Sequence, residues 1–411
     1  MSTYTGYLIR RERLAKNLSQ EGVCKGICAA SYLSKIESGS VEPGEEIIDR
    51  LFDALGIDFV RDPALESEAQ RQLDRFLFLM DADEPYDAQR AFFEAHRERL
   101  LRSEFAIKLQ LYELISSASI HRIEEMRRML GKIEPFMACL NTQEQQWMLL
   151  IKAELAQDAW EEGAVLAQAA ALRASGTILY KQAKLAFQQG WYSRCVELGE
   201  RAYAQSADEG NVITMIWSAY LMGTCACNRY DMALARRYYD RVQALCRGHR
   251  EDMDSYLYYN LGSTYLELGR DEEALRYLEE SNELENDALH NVLLHQKLTI
   301  LYAKTEEIEK AREHLDAAKA YYARSGWKET WPAAALVGQM LRFAAMTLEE
   351  EPANHPEYER IVRALYDGVT EHFGFGFKRF YGRYLVELLT RQRRYKEALA
   401  VREEMEFPIL S

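Results

Sequence analysis

The sequence SQEGVCKGICAASYLSKIESG, residues 19–39, decides the fold of the N-terminal part of the chain. Ser19 is a favourable N-cap for a first short helix, and Gly26 has the conformational freedom that a tight turn needs. A second helix follows from about Ala29, and Gly39 is placed to end it. The stretch therefore predicts two short helices joined by a tight turn.

The second of these helices has one apolar and one polar side. Leu33 and Ile36 stand three residues apart on the apolar side. A short helix that is buried on one side and polar on the other is typical of an element that reads base edges in the major groove of DNA. We therefore expect a helix-turn-helix with DNA contacts from Gln20, Ala30, Ser31, Tyr32, Ser34 and Lys35.

A longer pattern in the first forty residues supports this interpretation. It consists of Ile9, Arg13, Leu18-Ser19-Gln20 and Tyr32-Leu33-Ser34-Lys35-Ile36-Glu37-x-Gly39. The pattern resembles the lambda-repressor-type (XRE) DNA-binding domain. The turn Gly26-Ile27-Cys28 is one residue shorter than the commonest form, and it resembles the turn of the peptide-pheromone sensors of the RRNPP family. The resemblance implies a DNA-binding regulator that a ligand controls.

Two details of this domain bear on its stability. Ala29 stands where the family pattern usually has Ser, Thr or a similar N-cap, so the second helix loses a contribution of about 1 kcal/mol. Arg13 and Glu37 are expected to form a partly exposed ion pair that contributes at most about 1 kcal/mol.

Composition indicates an all-α protein of more than one folding unit. A chain of 411 residues exceeds one ordinary core, and 48% hydrophobic residues exclude a disordered chain. Only eight prolines and few alternating Val, Ile and Thr residues favour helices. The seven cysteines are scattered without a CxxC pair, which suits a reducing cytoplasm. We expect neither a signal peptide nor a membrane-spanning helix, and therefore a cytoplasmic location.

The distribution of charge reconciles an acidic chain with a DNA-binding segment. The formal net charge is −14 at pH 7. Residues 1–40 nevertheless contain six basic and three acidic side chains, a net charge of +3. The acidity lies in the rest of the chain, where it would discourage nonspecific contact with DNA.

A short break at Phe59–Pro63 predicts the boundary between a DNA-binding domain at 1–62 and a repeat domain at 66–411. From Glu66 onward the apolar periodicity indicates about nine helix pairs, of which the first three are degenerate repeats. The expected pairs are 66–101, 104–131, 142–172, 177–205, 212–245, 255–283, 289–325, 334–371 and 376–406. The predicted fold is a small helix-turn-helix domain followed by a right-handed tetratricopeptide-repeat superhelix.

One helix pair shows the type of repeat. Its small and large residues have the spacing of a tetratricopeptide repeat at Tyr258, Leu261, Gly262, Tyr265, Gly269, Ala274 and Ser281. Small residues allow two helices to cross closely. We expect the small position of the second helix to recur at Cys195, Ala233, Ala274, Ala311 and Ala398.

A stack of such helix pairs has a concave face that suits an extended peptide. Asn260 is the best single candidate, because an asparagine can donate to and accept from a peptide group at once; a solvated helix asparagine remains the alternative. The lysines among the candidates could equally be ordinary surface charges or form a basic strip for an anionic terminus. The expected peptide contacts are Tyr180, Lys181, Lys184, Tyr259, Asn260, Ser263, Lys297, Lys304, Arg383 and Tyr384, with Ser218, Met222, Gln296 and Glu387 on the same face.

The sequence does not indicate an enzyme. The eight histidines are isolated, and the chain contains no HExxH motif, phosphate loop or nucleophile elbow. Gly374-Phe-Gly-Phe-Lys378 resembles a phosphate loop only superficially and is interpreted as a turn between helix pairs. We therefore expect no catalytic residue, metal or cofactor.

These observations predict a cytoplasmic transcriptional regulator whose repeats bind a short signalling peptide. Because a two-fold operator needs two reading heads, we expect a homodimer, with an interface in the C-terminal pairs 334–406. The alternative is a regulator whose repeats bind a partner protein such as a response regulator. A narrow channel of convergent Asn, Lys and Tyr side chains would favour a peptide, whereas a broad apolar patch on the convex side would favour a protein partner.

Overall fold

The computed structural model describes residues 4–118, 123–247, 253–284, 286–327 and 331–406. Over this part of the chain the regular structure is entirely helical, which confirms the all-α prediction. The chain divides into two compact units, residues 1–178 and 179–411. No helix in the described ranges combines the length and apolar content needed to cross a membrane.

The first unit begins with four short helices. They are α1 (Tyr4–Ala15), α2 (Gln20–Cys24), α3 (Ala30–Glu37) and α4 (Glu45–Leu55). The Ser19 hydroxyl caps α2 by accepting a hydrogen bond from the Gly22 amide at 3.0 Å, whereas Ala29 offers α3 no side-chain cap. Gly26 and Gly39 have φ angles of 77° and 72°, in the left-handed region that glycine favours. The turn after α2 and the end of α3 therefore lie at the predicted residues.

Six longer helices and one 3-10 turn complete the first unit. The helices are α5 (Pro63–Asp81), α6 (Asp87–Leu100), α7 (Ala106–Ala118), α8 (Ile123–Ile133), α9 (Thr142–Glu154) and α10 (Ala159–Leu172), with the 3-10 turn at Glu134–Cys139. Asn141 and Glu144 form a reciprocal capping box at the start of α9, which explains the sharp beginning of that helix.

Helix α1 packs against and hydrogen-bonds to later parts of the first unit. The Arg11 Nη1 atom donates a hydrogen bond to the Leu101 carbonyl at 2.8 Å, and the Tyr4 hydroxyl donates one to the Cys139 carbonyl at 3.1 Å. Tyr7 contacts Phe136 edge to face, with ring centroids 5.1 Å apart. The compact unit therefore extends well past residue 62, because the first helix shares its core with α7 and the 3-10 turn. The two domain assignments remain predictions, and their ends at 1–3 and 407–411 lie outside the described residues.

The second unit is a succession of antiparallel helix pairs. Its helices are α11 (Gly176–Gln188), α12 (Tyr192–Glu209), α13 (Val212–Asn228), α14 (Met232–Cys246), α15 (Met253–Glu267), α16 (Asp271–Asn282), α17 (Ala288–Lys304), α18 (Ile308–Arg324), α19 (Ala334–Met346), α20 (Tyr358–Phe373), α21 (Phe375–Arg391) and α22 (Tyr395–Glu406). These helices begin and end within a few residues of the ranges that the periodicity indicates.

The close crossings occur where small residues were expected, with one exception. A Cβ atom built on Gly262 would lie 2.7 Å from the Leu278 Cγ atom, so only glycine permits this crossing of α15 and α16. Cys195, Ala274, Ala311 and Ala398 are buried as predicted, but Ala233 is exposed. The prediction at 233 is wrong: Ala235 is the fully buried alanine of α14, because that helix begins at Met232 and the buried small residue stands three positions after the helix start, as Cys195 does in α12.

Candidate functional site

Helix α3 has a buried and an exposed side. Leu33, Ile36 and Glu37 are buried beneath it. Of the predicted contact residues, Ser31, Ser34 and Lys35 are exposed, and Ala30, Tyr32 and Gln20 are half-buried. The hydroxyl and ammonium groups of this side are therefore available to a partner that lies along α3.

An ion pair beneath α3 is more buried than its sequence suggests. The Arg13 guanidinium donates two hydrogen bonds to the Glu37 carboxylate, at 2.5 and 2.8 Å, and their side chains are only 12% and 4% exposed. Donation of these hydrogen bonds to the Glu37 carboxylate raises the pKa of Arg13. The Gln20 Nε2 atom donates to the same carboxylate at 2.8 Å. The predicted ion pair is confirmed, with Arg13 partly exposed, but Glu37 is more buried than expected, because its carboxylate joins α1, α2 and α3.

A cavity of about 280 Å³ lies within the second unit, among helices α11, α13, α15, α17 and α21. Its walls combine aromatic rings with a comparable number of polar and charged side chains. The lining residues include Phe187, Tyr220, Thr224, Asn228, Tyr256, Tyr259, Asn260, Ser263, Glu267, His290, Lys297, Phe377 and Phe380. A concave site in which apolar walls and convergent polar groups meet is typical of ligand binding.

Asn260 occupies the wall of this cavity with its amide nitrogen turned toward α13 and α14. Its Nδ2 atom lies 3.1 Å from the Tyr220 hydroxyl, 3.3 Å from the Thr224 hydroxyl and 3.2 Å from the Tyr239 hydroxyl. The Asn260 Oδ1 atom accepts no hydrogen bond from the residues that the structure describes. The side chain is thus held rigidly by one end, while its carbonyl oxygen is left as an acceptor.

Lys297 contributes an amine to the cavity from α17. Its side chain is 1% exposed, and its Nζ atom lies 2.7 Å from the ring centroid of Phe380 and 5.5 Å from that of Phe377. Within the described ranges no carboxylate pairs with it and no hydrogen bond engages it. Burial lowers the pKa of Lys297 well below its usual range, although Glu267 opposes the shift. The lysine is therefore not an ordinary surface charge.

Two further polar groups of the cavity come from α15. The Tyr259 hydroxyl is buried and has no hydrogen-bond partner in the described part of the chain. The Glu267 carboxylate accepts a hydrogen bond from the Tyr230 hydroxyl at 3.0 Å. A buried hydroxyl without a hydrogen-bond partner lowers the stability of the fold unless a ligand or water binds it. The Tyr259 hydroxyl is therefore a group that a ligand in the cavity would satisfy.

A serine and a histidine meet beside the cavity without forming a catalytic arrangement. The Ser255 hydroxyl lies 2.9 Å from the His290 Nε2 atom, but Ser255 is completely buried. Asp287 accepts from the backbone amide of His290 at 2.8 Å and not from its ring. Burial lowers the pKa of His290 to about 4. This network joins α15 to α17 and leaves no nucleophile accessible.

The remaining predicted peptide contacts do not all reach this cavity. Tyr259, Asn260, Ser263 and Lys297 line it, whereas Tyr180, Lys181 and Lys184 lie elsewhere on α11. Lys304 is exposed and pairs with Asp271 at 2.6 Å, beside a neighbouring cavity that Arg383, Tyr384 and Glu387 also line. Ser218, Met222 and Gln296 are completely buried between helices. The four lysines therefore do not form one basic strip, because Lys297 is enclosed and Lys304 already has a carboxylate partner.

The sequence analysis missed a large part of the cavity wall. Phe377 and Gly376 belong to the segment interpreted as a turn between helix pairs. Gly374 forms this turn with a φ angle of 84°, but residues 375–378 are not part of it, because they are the first residues of α21. Tyr220, Thr224 and Asn228 stand on α13 at intervals of four, a helical stripe that could have been recognised. Nothing in the sequence indicates that α21 lies against α13.

The first residues of the chain match a known family. Residues 9–61 match the family described as Helix-turn-helix. The N-terminal segment is a helix-turn-helix domain. In it, α2 and α3 are the two helices of the motif, and the exposed side of α3 carries Ser31, Ser34 and Lys35.

Solved structures resemble the chain as a whole. The apo form of the quorum sensor NprR from B. thuringiensis is 12% identical, with a TM-score of 0.61 over 84% of this chain and 99% of that one. A Rap protein complexed with Competence and Sporulation Factor is 15% identical, with a TM-score of 0.64 over 83% and 98%. NprR in complex with its cognate peptide NprX is 13% identical, with a TM-score of 0.55 over 78% and 99%.

These likenesses establish the fold. The chain shares the all-α fold of these solved structures and has a helix-turn-helix segment at residues 9–61. Among curated proteins, none matches the sequence.

Proposed function

We propose that this chain is a cytoplasmic transcriptional regulator that binds a short signalling peptide in its second unit and changes its DNA binding in response. The single observation that carries the proposal is that an amide oxygen, a hydroxyl and an amine, each without a partner among the described residues, belong to the wall of one cavity. These are the Asn260 Oδ1, Tyr259 Oη and Lys297 Nζ atoms. The protein acts by binding and not by catalysis.

Each of these groups suits one part of a peptide. The Asn260 Oδ1 atom can accept from a backbone amide, and the Tyr259 hydroxyl can donate to a backbone carbonyl. The aromatic walls around Phe377 and Phe380 can accept an apolar side chain. The volume of about 280 Å³ lies at the lower end of ligand pockets, which run from roughly 300 to 1,000 Å³, so it holds part of a peptide and not a protein domain.

The DNA-binding part of the proposal rests on α3. Its exposed Ser31, Ser34 and Lys35 side chains would face the major groove, supported by Gln20, Ala30 and Tyr32. The buried ion pair of Arg13 and Glu37 holds α3 against α1, so the reading surface is rigid before DNA binds. Preorganisation of this kind lowers the entropic cost of association.

The response to the ligand would be a shift between two arrangements of a homodimer. A peptide that prefers one arrangement changes the spacing of the two reading heads, so that they fit or miss a two-fold operator. A useful shift requires a preference of a few kcal/mol, and about 5.5 kcal/mol would convert the population almost completely. NprR, whose fold the chain shares, has been solved in complex with its cognate peptide NprX, which supports a peptide as the ligand class.

The rival function, binding a partner protein such as a response regulator, has weaker support. It requires a broad apolar docking face, whereas the polar groups without partners converge in a narrow cavity. Asn, Lys and Tyr side chains in a narrow channel are the combination that favours a peptide.

The test is affinity selection of an unbiased pool of random short peptides on the full chain, followed by mass spectrometry. We expect retention of a small set of related peptides, and we expect the retained peptide to change the affinity of the chain for operator DNA selected from random duplexes. Retention of no peptide, or peptides that leave DNA affinity unchanged, would disprove the proposal.

A further inference from the structure

A second cavity, of about 820 Å³, lies beside the first in the same unit and has an unusual charge. Five arginines line it: Arg229, Arg379, Arg383, Arg391 and Arg402. Among the lining residues that the structure describes, Glu387 is the only one with a carboxylate. The formal charge of the wall is therefore +4 in a chain whose net charge is −14. Like charges gathered around one cavity repel one another unless an anion lies between them.

Three of the five arginines have no ion pair or side-chain hydrogen bond with the described residues. Arg391 pairs with Glu387 at 2.7 Å, and Arg379 donates to the Asn228 carbonyl and lies 4.7 Å from the Tyr230 ring centroid. The guanidinium groups of Arg229, Arg383 and Arg402 make neither an ion pair nor a hydrogen bond with any residue in the described ranges. Their donors are available to a ligand.

The second cavity also contains an unsatisfied hydroxyl. Tyr192 lines it, and the Tyr192 hydroxyl is buried without a hydrogen-bond partner among the residues described. Exposure to water is enough to explain why the three guanidinium groups have no protein partner. It does not explain why a buried hydroxyl in the same wall also has none. Both observations are explained by an acceptor-rich anionic group in the cavity.

The two cavities adjoin at a single place in the fold. Asn228 lines both of them. Gly376 contacts it so closely that an added Cβ atom would lie 2.5 Å from the Asn228 Oδ1 atom. The start of α21 forms the rest of the partition, with Phe377 and Phe380 toward the first cavity and Arg379 and Arg383 toward the second. Both cavities are thus lined by the start of α21, and an elongated ligand that lies along this helix would contact both.

We infer that the ligand carries a carboxylate that binds Arg383 together with Arg229 and Arg402 in the second cavity, while its remaining part occupies the first. The inference rests on the proposed peptide function and specifies the ligand as acidic. An arginine fork matches the two oxygens of a carboxylate, which gives both strength and orientation to the contact. The carboxylate belongs either to an Asp or Glu side chain or to the C-terminus of the peptide.

The experiment uses the full chain and four pools of random short peptides. The pools have a free or an amidated C-terminus, and in each case they include or omit Asp and Glu. Pools with a carboxylate should be retained at least tenfold more strongly than the pool that has none. Preference for the pools that contain Asp and Glu assigns the contact to a side chain, and preference for free C-termini assigns it to the terminus.

The matched variants are Arg383→Gln and Arg237→Gln. Both arginines are exposed helical residues whose guanidinium groups make no ion pair or hydrogen bond with the described residues, but Arg237 lines neither cavity. Arg383→Gln should weaken the best carboxylate peptide at least tenfold, whereas Arg237→Gln should leave its affinity within about twofold of the parent at the same salt concentration. Arg383→Lys should fall between them, because it keeps the charge and loses the fork. Circular dichroism melting checks that each variant is folded.

The possible outcomes separate the two proposals. Equal retention of all four pools, or equal effects of Arg383→Gln and Arg237→Gln, would overturn the acidic ligand and leave the peptide function standing. Retention of no pool at all would overturn both.

Discussion

The Asn260 amide nitrogen lies 3.1 Å from the Tyr220 hydroxyl, across the contact between α15 and α13. The same nitrogen is within hydrogen-bond distance of the Thr224 and Tyr239 hydroxyls, so the residue belongs to a network as well as to a cavity wall. Asn260 is therefore neither a solvated helix asparagine nor a side chain whose amide is wholly free to bind a peptide. Its Nδ2 atom is bound by the protein, and its Oδ1 atom is the part that can accept a hydrogen bond from a peptide.

Asn260→Ala is therefore expected to reduce both stability and peptide affinity. Loss of the hydrogen bonds leaves buried hydroxyls unpaired, which costs about 1–3 kcal/mol of unfolding free energy, and loss of the Oδ1 acceptor lowers affinity for a selected peptide about tenfold or more. Tyr239→Phe is the control, because it removes one member of the network, keeps the Asn260 acceptor and stands outside the residues that line the cavity. Urea denaturation and isothermal titration provide the two measurements. Equal peptide affinity for both variants would move the binding site away from Asn260.

Lys35→Ala is expected to weaken binding to the selected operator by about 1–3 kcal/mol at matched salt, because Lys35 is exposed on the side of α3 that faces the groove. Helical content should not change. Lys319→Ala is the control, since Lys319 is an exposed lysine of α18 and the change in charge is identical. Fluorescence anisotropy with labelled duplex measures the difference. If both variants bind like the parent, α3 is not the reading helix.

Affinity for a carboxylate peptide should fall as the pH rises. Burial lowers the pKa of Lys297 in the empty cavity, with Glu267 opposing and Arg383 adding to the shift. A carboxylate bound at Arg383, whose charge already acts on Lys297, stabilises the ammonium form and raises the pKa of Lys297 in the complex. Binding then takes up a proton when the pH lies between the pKa of the empty and the occupied protein, so affinity falls as the pH rises above the lower of these two pKa values. His290, whose pKa burial lowers to about 4, is neutral throughout this range.

Titrations of an N-acetylated peptide between about pH 6 and about pH 9 test this dependence, because acetylation removes the amino group that would titrate there. Lys297→Met should bind more weakly and with a flatter pH profile. An equally steep profile in the Lys297→Met protein would assign the titration to another group.

Gly262→Ala should lower the unfolding free energy by about 1–3 kcal/mol, because its Cβ atom would lie 2.7 Å from the Leu278 Cγ atom and 3.0 Å from the Leu278 backbone nitrogen. Gly131→Ala is the matched change in an exposed helix position with nothing within 4 Å, and it should raise helix stability by about 0.5–1 kcal/mol. Urea denaturation of the two variants should give opposite signs. A neutral Gly262→Ala would mean that α15 and α16 separate easily.

The homodimer should be sensitive to the outer face of α22. Tyr395 and Leu399 are 62% and 56% exposed and stand four residues apart, on one side of that helix. Leu399→Asp is expected to shift the chain toward monomer in sedimentation velocity at micromolar concentration. Leu268→Asp, at a leucine that is 40% exposed outside the C-terminal pairs, should leave the dimer intact. A parent chain that sediments as a monomer with and without DNA would refute the dimer.

The sequence by itself determined the local structure. Ser19, Gly26 and Gly39 have the cap and turn properties that define α2 and α3, and the structure has them in those conformations. Apolar periodicity located the helices of the repeat region because burial of one helix face depends only on neighbours three and four residues away. Gly262 and Ala274 indicated the close crossing within one pair, since both helices of that pair adjoin in the chain.

Only the tertiary structure decided which helices that are distant in the chain pack together, and where cavities form between them. Lys297 was expected on a basic strip and is enclosed against Phe380, which stands 83 positions later in the sequence. Asn228 and Gly376 form the partition between two cavities, although α13 and α21 are far apart in the chain. Periodicity shows which face of a helix is buried but not which other helix covers it. That choice depends on how every intervening pair packs, and a cavity is formed where those faces fail to fill the space.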